Sequence, residues 1–178
     1  MKKAIPIGRD MKPVILFLAS GSLLYLVTSI PALHRHVVIP FTEFGAWMWC
    51  KSLNFLGEDV VQNGTIVTDP VTNFSLKILD GCNGLFASII LIAAMLAHRA
   101  GIRAKLLGVG AGLVVIFLAN QVRLVALFWI GRGLPDFLEP AHVFVGPALM
   151  ILVALTLWLS WAEWIDKGKK GSLCHEKM

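Results

Sequence analysis

The chain has 178 residues, of which 57% are hydrophobic and only 15% charged, and its mean hydropathy is +0.75. Soluble domains run nearer half apolar and a quarter charged, so the composition excludes an ordinary soluble domain and predicts an integral membrane protein. The formal net charge of +5 matters less than its distribution, and the length suits one polytopic bundle over 1–178 with no second soluble domain.

The N-terminal stretch "MKKAIPIGRDMKPVILFLASGSLLYLVTSIPALHRH" sets basic residues ahead of an apolar run, as a signal peptide does. The run over 13–30 is as long as a membrane span and no small-x-small cleavage site follows, so a retained signal anchor is expected. Residues 37–57 carry Glu43 and Lys51 beside Trp47 and Trp49, a pattern suited to an interfacial amphipathic helix. Asn63-Gly64, between "VV" and "IV", predicts a β-hairpin, and "NFSLKIL" alternates like a half-buried strand. Further apolar stretches over 81–97, 104–130 and 141–165 are each expected to cross the membrane.

Charge decides the topology. Four spans put eleven basic residues inside (Lys2, Lys3, Arg9, Lys12, Arg99, Arg103, Lys105, Lys167, Lys169, Lys170 and Lys177) and four outside (Arg35, Lys51, Lys77 and Arg132). A fifth crossing at 37–57 would move the 99–105 cluster and the basic tail to the outside. The expectation is therefore an all-α membrane bundle of four transmembrane helices, with an interfacial helix and a small outer β-hairpin. Its basic N-terminus (1–12) and tail (166–178) would be cytoplasmic, and 33–80 would form one outer-face segment.

The three cysteines, Cys50, Cys82 and Cys174, show no C-x-x-C and no zinc-like spacing, so no metal or cofactor is expected. A lone cysteine is usually buried packing. Cys82, however, follows Asp80, a plausible N-cap, which would place the thiol in a first helical turn. Free amides and the helix dipole there favour a thiolate and an oxyanion site. Gly81 and Gly84 keep the surroundings small enough for a peptide backbone to approach. Arg123 lies amid apolar residues, where an arginine costs about 2.5–3.5 kcal/mol on translocon scales and usually serves function. Asn120 shares its helix face. His142 follows Glu139-Pro140 at the start of the last stretch, with Glu139 placed to orient the ring. On the four-span topology Cys82, Arg123 and His142 all fall in the outer leaflet, as nucleophile, oxyanion stabiliser and general acid/base. Gly108 and Gly112 read as close helix packing, and His34 and His36 as an interfacial cluster. Cys50 is either core or a partner for another outer cysteine, and Cys174-His175 is incidental.

"GCNGL" (81–85), "NQVRL" (120–124) and "AHVFVG" (141–146) together resemble the three signatures of the exosortase/archaeosortase family. The resemblance covers about 60–146 and looks like a compact branch, of the kind called exosortase H. Asn83 stands where Ser, Thr or Ala is commoner. The resemblance implies a membrane-embedded cysteine protease and transpeptidase with Cys82, Arg123 and His142 as its catalytic set; the residues themselves suggest Asn120, Glu139, Asn83 and Gly84 in support. It implies secreted substrates that end in a short motif, a membrane helix and a basic tail, cleaved at the outer, periplasmic face of the inner membrane. Nucleic acid is not an expected partner; anionic lipids are. The alternative is a non-catalytic protein that holds an anionic lipid or small anion on Arg123 and Asn120. A thiol redox protein with a Cys50–Cys82 disulfide is a third, disfavoured reading.

Overall fold

The computed structural model describes residues 11–175, the side chains of 169–175 excepted. Residues 1–10 of the expected basic N-terminus, and the side chains of Cys174-His175 and of most of the expected tail, lie outside the described residues. Helix α1 (Lys12–Thr28) opens with Pro13 in its first turn and buries no residue, as suits a helix apolar on every face. It packs antiparallel on α3 (Leu85–Ala97), where Gly21 comes close to Ala93 and Tyr25 stacks on Phe86 at 5.9 Å. Ile30 is extended ahead of Pro31, and the chain turns by 66° into α2 (Pro31–Phe55). A π-helical turn at His34–Val38 lies just before Pro40, where the missing N–H and the ring's bulk disturb regular helix pairing.

The buried positions of α2 are Val38, Thr42, Gly45, Ala46, Trp49, Cys50 and Leu53, a single helical stripe. Trp49 is a core residue at 1% exposure, edge-on to Phe128 at 6.2 Å, so it does not anchor an interface. The stripe faces a three-stranded antiparallel sheet of β1 (Val61–Asn63), β2 (Ile66–Thr68) and β3 (Ser75–Lys77), in the order β1-β2-β3. Both the hairpin and the strand after it are present, one turn position later than expected. Asn63 is itself paired with Ile66, leaving Gly64-Thr65 as the turn, with Gly64 at φ +58°. Asp69 ties the sheet to the bundle: it accepts from Thr72 and the Val71 amide and lies 3.5 Å from Arg132, which also pairs with Glu58. The Thr72 hydroxyl, helped by the Val71 and Thr72 amides and Arg132, holds the Asp69 carboxyl below its usual range.

Helix α4 (Ile102–Gly133) and helix α5 (Pro135–Gly168) are long and apolar enough to cross a membrane, and α1 with α2 qualifies as one bent pair. Where four spans are expected, the structure thus has two long apolar helices, one bent pair and one shorter apolar helix. The difference lies chiefly in α3. Residues 81–84 are not part of it, and its 13 residues reach only about 20 Å, short of a ~30 Å hydrocarbon core. Gly108 and Gly112 mark close packing on α4, since added methyls would meet the Trp161 ring and Leu91. Trp161 also donates to the Ala104 carbonyl at 3.2 Å.

Two cores result. One joins α2, the sheet, the 80–82 turn and the C-terminal half of α4 through Trp49, Leu53, Val67, Ile78, Cys82 and Phe128. The other joins α3, α4 and α5 through Leu91, Met95, Ile116, Met150 and Trp161.

Candidate active site

The chain between β3 and α3 makes a 3-10 turn over Asp80–Cys82, with the Cys82 amide donating to the Leu79 carbonyl at 2.8 Å. Asp80 is not the cap of α3. That position is Gly84, at φ +82°, a left-handed conformation that glycine adopts without strain. The Asp80 carboxylate instead meets His34 Nε2 at 3.0 Å, joining the start of the turn to the π segment of α2. Cys82 therefore precedes the helix, and its surroundings come from side chains rather than from a helix N-terminus.

Those side chains converge on the sulfur. His142 Nε2 lies 3.2 Å from Cys82 Sγ, and Arg123 Nη2 donates toward the same sulfur at 3.8 Å. The same Nη2 donates to the His142 carbonyl at 3.3 Å, so the guanidinium binds the backbone of one partner and faces the thiol of the other. Cys82 and Arg123 are 4% and 5% exposed, and among the described residues Arg123 has no carboxylate within ion-pair distance. A buried cation without a carboxylate favours a negative charge near it, and the sulfur is the group it faces. Trp49, Leu76, Ile78, Leu124, Leu127 and Leu138 wall a small cavity around Cys82 and His142, and apolar walls strengthen charge interactions inside.

The depth of the meeting point follows from the helices. Arg123 is ten residues before the end of α4 at Gly133, about 15 Å, and His142 is seven residues into α5, about 10 Å. Arg123 therefore reaches across to neighbouring helices and does not snorkel to the α4 terminus. Gly146 makes this possible, because a methyl group there would run into the Arg123 guanidinium.

The supporting residues divide. Asn120 donates to the Cys82 carbonyl at 2.9 Å and holds the turn from below. Asn83 donates to Thr42 Oγ1 at 3.0 Å and accepts from the Leu85 amide at 3.0 Å, so one side chain starts α3 and fastens it to α2. Ser, Thr or Ala lacks that two-way reach, which gives the uncommon residue a physical reason. Gly84 packs against Asn120, and a methyl group added there would stand 3.5 Å from Asn120 Cβ. Glu139 is exposed and makes no hydrogen bond to the His142 ring, contrary to the sequence expectation. The π-helical turn at Ala141–Val145, just after Pro140, changes the helix phase on which an i−3 pairing depends. Sequence reasoning also missed Thr42, Gln121 and Gly146. Thr42 carried a signal, being a polar residue on an otherwise apolar stripe. Cys50 is buried and free, as is Cys82, so they form no disulfide. Among the described residues no cluster of side chains suits a metal ion.

No curated protein and no solved structure gives a match to this chain. A family model described as transmembrane exosortase matches residues 12–159, which takes in the whole sheet and all or most of every helix. The chain belongs to the transmembrane exosortase family.

Proposed function

We propose that the protein is a cysteine endopeptidase and transpeptidase that cleaves C-terminal sorting signals near the outer face of the membrane. The observation that carries this reading is the contact of His142 Nε2 with Cys82 Sγ at 3.2 Å beside a buried guanidinium. His142 accepts the Cys82 proton as the sulfur attacks the substrate carbonyl carbon. Arg123 faces the developing negative charge, first on sulfur and then on the carbonyl oxygen. The tetrahedral intermediate collapses to a thioester as His142 returns the proton to the leaving amine. An acceptor amine or water then attacks the thioester and restores the thiol. The reaction requires neither a metal nor an organic cofactor.

Orientation follows from charge. Lys12, Arg99, Arg103, Lys105 and Lys167 gather at the end of the bundle away from the sheet, which we assign to the cytoplasm. The sheet, Cys82 and His142 then face the periplasm, where a secreted substrate's motif would stand above its own membrane helix. Anion binding by Arg123 and Asn120 has less support, since Asn120 already donates to the Cys82 carbonyl. The test is processing of a reporter bearing a sorting signal of the family type. Cys82→Ala and His142→Ala should stop it and Arg123→Gln should cut it sharply, whereas undiminished processing by Cys82→Ala overturns the proposal.

A further inference from the structure

The outer edge of β3 bears on how a substrate is held. The register pairs Ile66 with Lys77 and Thr68 with Ser75. The Asp69 amide donates to the Phe74 carbonyl at 2.8 Å and the Ile78 amide to the Thr65 carbonyl at 2.9 Å. Antiparallel ladders alternate, so Phe74, Leu76 and Ile78 turn their backbone groups toward β2. Ser75 and Lys77 turn theirs the other way. β3 is the last strand of the sheet, and among the described residues nothing bonds the outward N–H and C=O groups of Ser75 and Lys77. The strand is also continuous with the proposed site, for Leu76, Lys77 and Ile78 share a cavity of about 20 Å³ with Cys82, Leu138 and His142.

We infer that an extended segment of the substrate adds to this edge as a fourth strand, bonded to the backbone of Ser75 and Lys77, and so delivers its scissile carbonyl to Cys82. The inference rests on the function proposed above. Main-chain pairing supplies affinity with little demand on side chains, as in other cases of strand addition. Chain order makes the pairing parallel. A substrate that runs from outer segment to scissile bond to membrane helix follows the same course as β3, Cys82 and α3. The competing explanation is that a short edge carrying an exposed lysine merely discourages aggregation.

The test uses acetyl-Val-Thr-Val-Ala chloromethyl ketone, an extended peptide that alkylates a reactive thiol, with iodoacetamide as a probe that has no strand to add. The peptide should alkylate Cys82 of the full chain, and N-methylation of its amides one at a time should slow alkylation about tenfold at alternating positions only, as loss of single hydrogen bonds would. Lys77→Pro removes an outward N–H and should slow the peptide by a similar factor, well beyond any change with iodoacetamide. Equal rates for every N-methylated peptide overturn the inference. If Lys77→Pro disrupts the sheet, the N-methyl series on the unaltered chain decides alone. A Cys82 inert to both probes overturns the nucleophile and the strand addition with it. Alkylation by iodoacetamide with no advantage for the peptide overturns strand addition alone.

Discussion

The two ends of the bundle are built from similar helices and arrive at opposite interiors. At the sheet end, buried polar groups converge: Cys82, Asn83, Asn120, Gln121, Arg123 and Thr42 are all enclosed, and the cavity at Cys82 holds about 20 Å³. At the other end lies a far roomier cavity, about 620 Å³, walled by Val14, Phe17, Ile90, Ala94, Leu155 and Trp158. Its polar groups, His98, Arg99 and Asp166, stand where the helices end, with His98 3.6 Å from Asp166. Of these two cavities the roomier has no cysteine in its lining, and the reactive groups at Cys82 are packed close with little space to move. Convergence of polar groups on one atom, rather than volume, locates the candidate chemistry.

The largest expected asymmetry concerns charge. Arg123→Gln should lower the turnover of a sorting-signal reporter about 10²–10³-fold, the usual loss on removing an oxyanion donor. Arg123→Lys should not restore it, because a point charge replaces a planar fork. Reporter cleavage by purified variants at matched folded concentration checks both.

Next come two substitutions of the same kind at opposite ends. Gly146→Ala presses on the Arg123 guanidinium, and Gly108→Ala presses on the Trp161 ring. The first should cut turnover about tenfold, since small displacements of a catalytic group are costly. The second should cost about 1–3 kcal/mol of stability as an overpacked contact, with turnover per folded molecule kept. Thermal unfolding and reporter cleavage, measured on both variants, would break the comparison if the two effects were exchanged.

Smaller effects sharpen it. Asn83→Ala removes the bonds to Thr42 and the Leu85 amide and should destabilise by about 1–3 kcal/mol. Asn83→Ser should recover only part of this, as read from the unfolding midpoint. Ala94→Leu, which adds bulk to the wall of the large cavity, should leave reporter turnover within about twofold, as expected for open apolar space.

Acid separates the sheet from the rest. The Asp69 carboxyl titrates lower folded than unfolded, so its contribution is present above the unfolded value and lost as pH falls through the folded one. Asp69→Asn should therefore flatten the loss of thermal stability below about pH 4, where an ordinary aspartate takes up its proton. An unchanged slope would place the acid sensitivity elsewhere.

The sequence made much of the site legible because its three groups are chemically unusual where they stand. Arg123 is a cation inside an apolar helix, and Cys82 and His142 open the apolar stretches before and after it, so alternating crossings would bring the three to one level. Glu139 misled because helical spacing assumes an unbroken phase, which a π turn changes. The helix start was misplaced at Asp80, whose carboxylate is bonded to His34, a partner 46 residues away that no local pattern reveals. Residue type alone suggests an interfacial Trp49, but the apolar stripe it shares with Ala46 and Leu53 is the better guide. Gly146 had no signal beyond its place in "AHVFVG", since close approach of a side chain from another helix is invisible in one dimension.

The most direct test of the account is to trap the intermediate. The chain is incubated with a sorting-signal reporter without acceptor amine, quenched in acid, and its intact mass and peptide map are recorded. The account predicts added mass equal to the reporter's N-terminal fragment, carried on Cys82, released by hydroxylamine and missing in Cys82→Ala. Cleavage of the reporter without any adduct in the wild type, and undiminished in Cys82→Ala, would contradict it.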